Sequence, residues 1–245
     1  MKRTQNYFLS AIVFLALTCP ALASEEGPGI SSDQAIKNLA DGNSRYAAGS
    51  CLHSNINQER RSQTAQKGQH PIATILSCSD SRVPPEYIFD QGIGDLFIIR
   101  VAGNVASTDE IGSAEYGVDH LGTPVLMVLG HSKCGAVTAV ATGAELHGSI
   151  PALVKNIKPA VDKAKQKNPS AQGDAIVSEA ITQNVWQSVE DLLKKSPMSR
   201  NRAKQGKVIV VGALYDIETG KINVLGPHPQ QLQLLSASEP AAGKH

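Results

Sequence analysis

The chain lacks a strong excess of charge of either sign. Its 23 lysines and arginines are nearly balanced by 22 aspartates and glutamates, so the formal net charge is +1. A nucleic-acid partner needs a basic surface, and this balance gives no reason to expect one. Linkers rich in proline or serine and internal repeats are also missing, so we expect a single domain over residues 24–245.

Cysteine is scarce, with four in the whole chain. Cys19 falls in an N-terminal segment that we expect to be removed, which leaves Cys51, Cys78 and Cys134. An odd number argues against a closed disulfide framework. A disulfide between Cys78 and Cys134 is an alternative, but it would leave the neighbouring His131 without a role. Cys51 lies in a polar stretch and is not expected to be a ligand.

No hydrophobic run in the N-terminal segment is long enough to cross a membrane. The apolar stretch at 7–17 falls short of the roughly 20 residues that a spanning helix needs, so no stable membrane anchor is expected. Lys2 and Arg3 precede this stretch, and Ala21-Leu-Ala23 follows it with the small residues that a signal peptidase recognises. We therefore expect residues 1–23 to be a cleaved signal peptide and the mature protein to be periplasmic.

Short aliphatic runs alternate with helical patterns along the rest of the chain. The runs at 72–76, 96–101, 125–129 and 208–211 are typical of buried parallel strands. Helical patterns occupy 109–121, 135–142, 152–166 and 175–195. Ser31 and Gln34 indicate a capping box for an N-terminal helix, and 216–220 indicates a turn into a last strand at 222–225. The predicted fold is α/β, a mostly parallel central β-sheet flanked by helices, with an N-terminal helical arm and a C-terminal hairpin strand.

Two short motifs contain metal-binding side chains. Ser-Cys-Ser-Asp-Ser-Arg at 77–82 supplies Cys78, and His-Ser-Lys-Cys at 131–134 supplies His131 and Cys134. Two thiolates and an imidazole are ligands that Zn²⁺ prefers, and three protein ligands leave a position open for water, as in catalytic sites. Cys78 and His131 each come just after a predicted strand, where ligands bind in open α/β sheets. The sequence therefore predicts a catalytic zinc site.

Asp80 and Arg82 follow the first ligand, Cys78, by two and four positions and form a candidate catalytic pair. The planar guanidinium of Arg82 suits bidentate pairing with a carboxylate, and such a pair can orient a group at the open metal position. Each residue also has a simpler interpretation. Asp80 would serve as a turn or N-cap residue before a helix that starts at Pro84-Pro85, and Arg82 as a surface cation.

These motifs resemble the β-class carbonic anhydrases. The resemblance runs through the segments 43–46, 68–71, 78–83, 94–97, 100–104, 113–116, 130–135 and 211–215. It implies that Cys78, His131 and Cys134 bind one zinc ion and that Asp80 and Arg82 form a catalytic dyad. In a closed state of the family, Asp80 would become a fourth zinc ligand.

The resemblance also implies a substrate pocket and an oligomer. The family's pocket residues correspond to Gln69, Phe97, Ala102 and Tyr116, with Ala102 where a valine is common. Phe97 and Tyr116 are otherwise plain core aromatics. The implied assembly is a homodimer or a larger homo-oligomer, in which the helix at 32–46 reaches over a neighbouring subunit and the active-site cleft lies at the interface.

The function implied is zinc-dependent, reversible hydration of carbon dioxide to bicarbonate and a proton, through a hydroxide formed on zinc. Hydrolysis of carbon disulfide or carbonyl sulfide on the same fold is one alternative. Assays with these substrates would distinguish it from carbon dioxide hydration. A zinc-binding protein without turnover is another, and it would have no use for Asp80 and Arg82.

An allosteric bacterial subclass of the family carries a tryptophan three residues before the first cysteine. Ile75 stands there in this chain, whose single tryptophan is Trp186, and Gln69 matches the subclass whose glutamine helps to bind substrate. We therefore expect no second, inhibitory bicarbonate site beside the zinc.

Overall fold

The computed structural model describes residues 27–236, which form one five-stranded sheet with helices on both faces. The strands are β1 (Ala73–Ser77), β2 (Leu96–Arg100), β3 (Val125–His131), β4 (Ile209–Tyr215) and β5 (Ile222–Gly226). Their spatial order is β2-β1-β3-β4-β5, with the first four parallel and β5 antiparallel to β4. The predicted α/β fold and its C-terminal hairpin strand are confirmed.

The helices differ in detail from the sequence prediction. They are α1 (Ser32–Ala47), α2 (Gln58–Lys67), α3 (Pro85–Ile88), α4 (Thr108–Glu115), α5 (Gly135–Thr142), α6 (Ile150–Val154), α7 (Lys158–Lys167), α8 (Asp174–Lys195), α9 (Pro197–Lys204) and α10 (Gln231–Ser236). The single helix predicted at 152–166 is wrong, because a new helix starts at Lys158 with a proline in its first turn. Helix α4 continues as a wider π-helical turn, Tyr116–His120.

The two central strands bring their carboxyl ends to one edge of the sheet. Every residue of β1 and of β3 is buried, as expected for strands covered on both faces. In the parallel register, Ser77 pairs with Leu129 on one side and with Arg100 on the other. Residues that follow Ser77 and Leu129 therefore meet at the same edge.

Helix α1 packs on the sheet of its own chain. Ala35 and Leu39 are buried in the core beneath it, and Asn43 bonds to the backbone of the β4–β5 hairpin. The hydroxyl of Ser31 caps the helix as predicted, but the Gln34 side chain bonds to Asn38, so only half of the capping box forms. The N-terminal helix is present, and its reach over a neighbouring subunit stays a prediction.

Helix α8 covers part of the opposite face of the sheet. Its residues Val185, Val189 and Leu192 are fully buried in the core that also contains Leu126 and Val128 of β3. Within residues 27–236, no helix is both long enough and apolar enough to cross a membrane. The predicted signal peptide, residues 1–23, lies entirely outside the described residues.

Candidate metal centre

The three predicted zinc ligands lie together at the carboxyl edge of the sheet. Cys78 directly follows β1, His131 is the last residue of β3, and Cys134 caps the N-terminus of α5. Their candidate ligand atoms all lie within 4.8 Å of one another, and all three residues are buried. His131 was expected just after its strand; the strand instead extends through it, because His131 pairs with Tyr215 of β4.

The imidazole of His131 is oriented for a metal. Its Nδ1 lies 2.9 Å from the carbonyl oxygen of Ser132, which can only accept, so Nδ1 carries the proton. Nε2 is buried and has no hydrogen-bond partner among the described residues. A buried, unpaired imidazole nitrogen is costly unless a cation binds it, and backbone bonding at the other nitrogen is the usual support of a metal-binding histidine. The residues present therefore fit zinc.

The two thiols behave as a pair. A hydrogen bond from Cys134 is the main cause that lowers the pKa of Cys78 to about 4, and the backbone N–H of Gly103 contributes to the same shift. The same hydrogen bond, together with burial, raises the pKa of Cys134. The pair thus loses one proton easily and holds the other between the sulfur atoms, where a thiophilic cation would replace it. Both cysteines are free thiols, so the disulfide alternative is wrong.

Asp80 and Arg82 form a bidentate ion pair beside the ligands. Arg82 Nε donates to Asp80 Oδ1 at 2.9 Å, and Nη2 donates to Oδ2 at 2.7 Å. These hydrogen bonds hold the pKa of Asp80 well below its usual range. Asp80 Oδ2 lies 3.9 Å from His131 Nε2, so the carboxylate borders the ligand cluster without belonging to it.

The simpler interpretation of Asp80 as a helix cap is wrong. Helix α3 has Pro84 at its N-cap and no side-chain hydrogen bond there. Asp80 does shape the turn, since its Oδ1 accepts the backbone N–H of Arg82 at 3.0 Å. Both oxygens are nevertheless engaged by the Arg82 guanidinium, which also donates to the carbonyl oxygen of Lys133 at 3.3 Å.

Arg100 supports the same loop and was not predicted. From the end of β2, its Nε donates to the carbonyl oxygen of Cys78 at 3.1 Å, and its Nη2 donates to that of Asp80 at 2.7 Å. The backbone of a ligand and that of its neighbouring carboxylate are thus held by one side chain. Arg100 reaches this loop because it ends β2 level with Ser77, the last residue of β1.

The predicted substrate residues are divided between two places. Ala102 lies next to Gly103, whose N–H reaches the Cys78 sulfur atom. Phe97 instead pairs with Thr74 of β1. Thr74 precedes Cys78 by four residues, so the two lie about 13 Å apart along the strand. The Tyr116 ring lies 5.7 Å from that of Phe97.

Gln69 is farther still from the ligands of its own chain, because it precedes the amino end of β1. Three of the four predicted pocket residues therefore do not adjoin the ligand cluster within one chain.

Ile75 and Trp186, the two residues compared with the allosteric subclass, both lie outside the ligand cluster. Ile75 is fully buried in the middle of β1, where its side chain packs in the core. Trp186 lies on α8, and its ring meets that of His228 edge to face at 5.5 Å. Neither residue forms part of the ligand cluster.

Comparisons with known proteins agree on one family. The family profile described as "Carbonic anhydrase" matches residues 73–222, which include all three ligands. A carbonic anhydrase of Mycolicibacterium smegmatis is 34% identical over 80% of this chain and 95% of its own length. Carbonic anhydrase 2 of Mycobacterium tuberculosis is 36% identical, over 79% of this chain and 93% of its own.

The fold agrees with the sequence comparison. The crystal structure of the β-carbonic anhydrase CafA of Aspergillus fumigatus superposes with a TM-score of 0.66, at 25% identity, over 75% of this chain and 91% of CafA. Profile, relatives and fold point to the same assignment. This chain belongs to the β-class of the carbonic anhydrases, a family of lyases.

Proposed function

We propose that this protein catalyses the zinc-dependent, reversible hydration of carbon dioxide to bicarbonate and a proton. The observation that carries the proposal is the unpaired, buried Nε2 of His131 facing two thiols, with the Asp80–Arg82 ion pair at the rim. A protein that only stored zinc would gain nothing from a carboxylate held beside the metal in a fixed orientation. The dyad therefore favours turnover.

One zinc ion would be held by Cys78 Sγ, His131 Nε2 and Cys134 Sγ. When bound, it supplies the positive charge that makes water acidic enough to lose a proton near neutral pH. The water oxygen bonds to the carbon of carbon dioxide, one C–O double bond becomes single, and the water proton leaves to solvent. The product is bicarbonate.

Asp80 would orient the reacting water as a hydrogen-bond acceptor. Its low pKa keeps the carboxylate ionised throughout the neutral range, so it accepts a hydrogen bond but does not store the released proton. Arg82 occupies both carboxylate oxygens and so holds Asp80 at the rim. A closed state, with Asp80 as a fourth ligand, would require the carboxylate to shift out of this two-point contact with Arg82.

We further propose that the substrate pocket is completed by a second copy of the chain. Ala102 adjoins the ligands of its own chain. In contrast, Gln69, Phe97 and Tyr116 lie toward the amino ends of the strands, away from those ligands. Those three residues would serve the neighbouring site in a homodimer or a larger homo-oligomer. The 45% exposure of Tyr116, an aromatic side chain, is consistent with such an interface.

The proposed location is the periplasm. The N-terminal segment has the order of a signal peptide that is cleaved after residue 23: Lys2 and Arg3, the apolar stretch at 7–17, and Ala21-Leu-Ala23.

The catalytic proposal is tested by measuring zinc content and carbon dioxide hydration on one preparation of purified protein. The same preparation, assayed with carbon disulfide and carbonyl sulfide, tests the hydrolase alternative.

A further inference from the structure

The sulfur atom of Cys78 receives a hydrogen bond from a short turn of unusual shape. The 3₁₀ turn Ala102–Asn104 follows β2, and the Gly103 N–H points at Cys78 Sγ with a nitrogen–sulfur distance of 3.3 Å. This contact is buried. A hydrogen bond to a ligand atom fixes its direction and its electron density, and thereby the affinity of the metal site.

The turn holds two successive residues in the left-handed region. Gly103 has φ +74° and Asn104 has φ +44°, and the second of these is unfavourable for a residue with a side chain. A Cβ at Gly103 would lie 2.6 Å from Cδ1 of Ile157, so the turn is also packed against its neighbours. Such a backbone persists only where the surrounding structure holds it.

Helix α8 supplies that support through two polar side chains. Asn184 Nδ2 donates to the carbonyl oxygen of Gly103 at 2.7 Å, and Ser188 Oγ donates to that of Asn104 at 2.8 Å. The two residues are one helical turn apart and share a face of α8. Both side chains are buried, with relative exposures of 1% and 2%, in a helix whose other buried residues are mainly aliphatic.

We propose that Asn184 and Ser188 are positioning residues for the metal centre. They touch neither metal ligand nor substrate, and they act by fixing the Ala102–Asn104 turn so that the Gly103 N–H stays directed at Cys78 Sγ. This inference rests on the proposed zinc site. It predicts that shortening either side chain weakens zinc binding although every ligand is retained.

The test compares Asn184→Ala and Ser188→Ala with the parent chain. Zinc affinity is measured by competition with a chromophoric chelator, and the thiolate-to-metal absorption band is recorded after loading with Co²⁺. We expect zinc to bind about tenfold more weakly to each variant, with a shifted cobalt band. Far-ultraviolet circular dichroism establishes that each variant is folded.

Ser199→Ala is the matched control. Ser199 is a fully buried serine of α9 whose hydroxyl bonds, among residues 27–236, only to Ser196. The substitution therefore removes the same hydroxyl group as Ser188→Ala, from a buried site away from the ligands. We expect it to keep the parent's affinity and cobalt band even if it unfolds at a lower temperature. If Asn184→Ala does not fold, Ser188→Ala alone decides the question.

The two proposals fail in different ways. Folded variants with the parent's zinc affinity and cobalt band would overturn the positioning role and leave the zinc site intact. A weakening of the same size in Ser199→Ala would also overturn it, because the effect would then be one of general stability. A parent chain that binds no zinc would overturn the proposed function itself.

Discussion

Arg82 and Asp80 meet in a two-point contact. Nε and Nη2 of the guanidinium donate to separate oxygens of the one carboxylate, at 2.9 and 2.7 Å. Only a planar fork makes both bonds at once, and a lysine ammonium cannot. The orientation of Asp80 toward the ligand cluster therefore depends on the shape of its partner as well as on the partner's charge.

The first prediction tests that shape. Arg82→Lys keeps the positive charge but loses the fork, so we expect carbon dioxide hydration to fall about a hundredfold in a folded protein. Asp80→Asn should lose a similar factor, because the carboxamide carries no charge. Arg61→Lys, an exposed change on α2, is the control and should match the parent in stopped-flow assays. Parent rates in either dyad variant would show the pair to be structural only.

The second prediction concerns pH and bicarbonate. The pKa of Asp80 is shifted downward, so its carboxylate is ionised above that value and does not titrate near neutrality. Protonation of Asp80 therefore does not contribute to a loss of activity below pH 7. The titrating group that remains is the reacting water, and activity should rise in one non-cooperative step near pH 7, at about the value zinc gives to water.

Added bicarbonate should leave the midpoint of that step unchanged. Ile75 is buried in the core where the allosteric subclass carries tryptophan, and Asp80 is already paired with Arg82. A steep, cooperative profile that bicarbonate moves to higher pH would place this chain in the allosteric subclass. The measurement is the initial rate of hydration against pH, with and without bicarbonate.

The third prediction tests the shared pocket. A Cys78→Ser chain lacks a metal ligand but keeps Gln69, whereas a Gln69→Ala chain keeps the ligands. If Gln69 serves the neighbouring site, random mixing yields about half heterodimers, each with one complete site, so about a quarter of the parent activity should return.

Mixing Cys78→Ser with Cys134→Ser is the matched control. Both changes fall in the ligand cluster of a single chain, so no mixed dimer contains a complete metal site. This mixture should stay inactive. Failure of the Cys78→Ser and Gln69→Ala mixture to exceed the average of its two components would refute the shared pocket.

The sheet and the ligand cluster were predictable because their signals are local. The central strands are continuous aliphatic runs, and Cys78 and His131 stand at the ends of those runs. Helix α2 was missed because none of its residues is buried, so it shows no apolar periodicity. Arg100 was missed because its hydrogen bonds go to backbone atoms, which leave no pattern in the sequence.

The support of the site depends on contacts between distant segments. Asn184 and Gly103 are 81 positions apart, and the Gly103 N–H that reaches Cys78 belongs to a turn with left-handed backbone. The substrate residues illustrate a different limit. The motifs place Gln69 and Tyr116 in the family's pocket, but the fold of one chain keeps them away from its own ligands. Whether they complete the active site of a neighbouring subunit depends on how the subunits assemble, which the sequence of one chain does not encode as a local pattern.

The fourth prediction concerns processing of the N-terminus. Signal peptidase recognition of Ala21-Leu-Ala23 should leave a mature protein that starts at Ser24 or within a residue or two. N-terminal sequencing of protein from the periplasmic fraction checks this expectation. Finding the chain intact from Met1 in the cytoplasm would contradict export without affecting the catalytic proposal.

The most direct test of the central claim is carbon dioxide hydration measured before and after zinc removal. We predict about one zinc per chain in the purified protein, loss of activity with a strong chelator, and recovery when zinc is returned. Cys78→Ser, His131→Ala and Cys134→Ser should each lose most of the zinc and the activity together. Hydration that persists in metal-free protein, or full zinc occupancy in all three variants, would contradict the account.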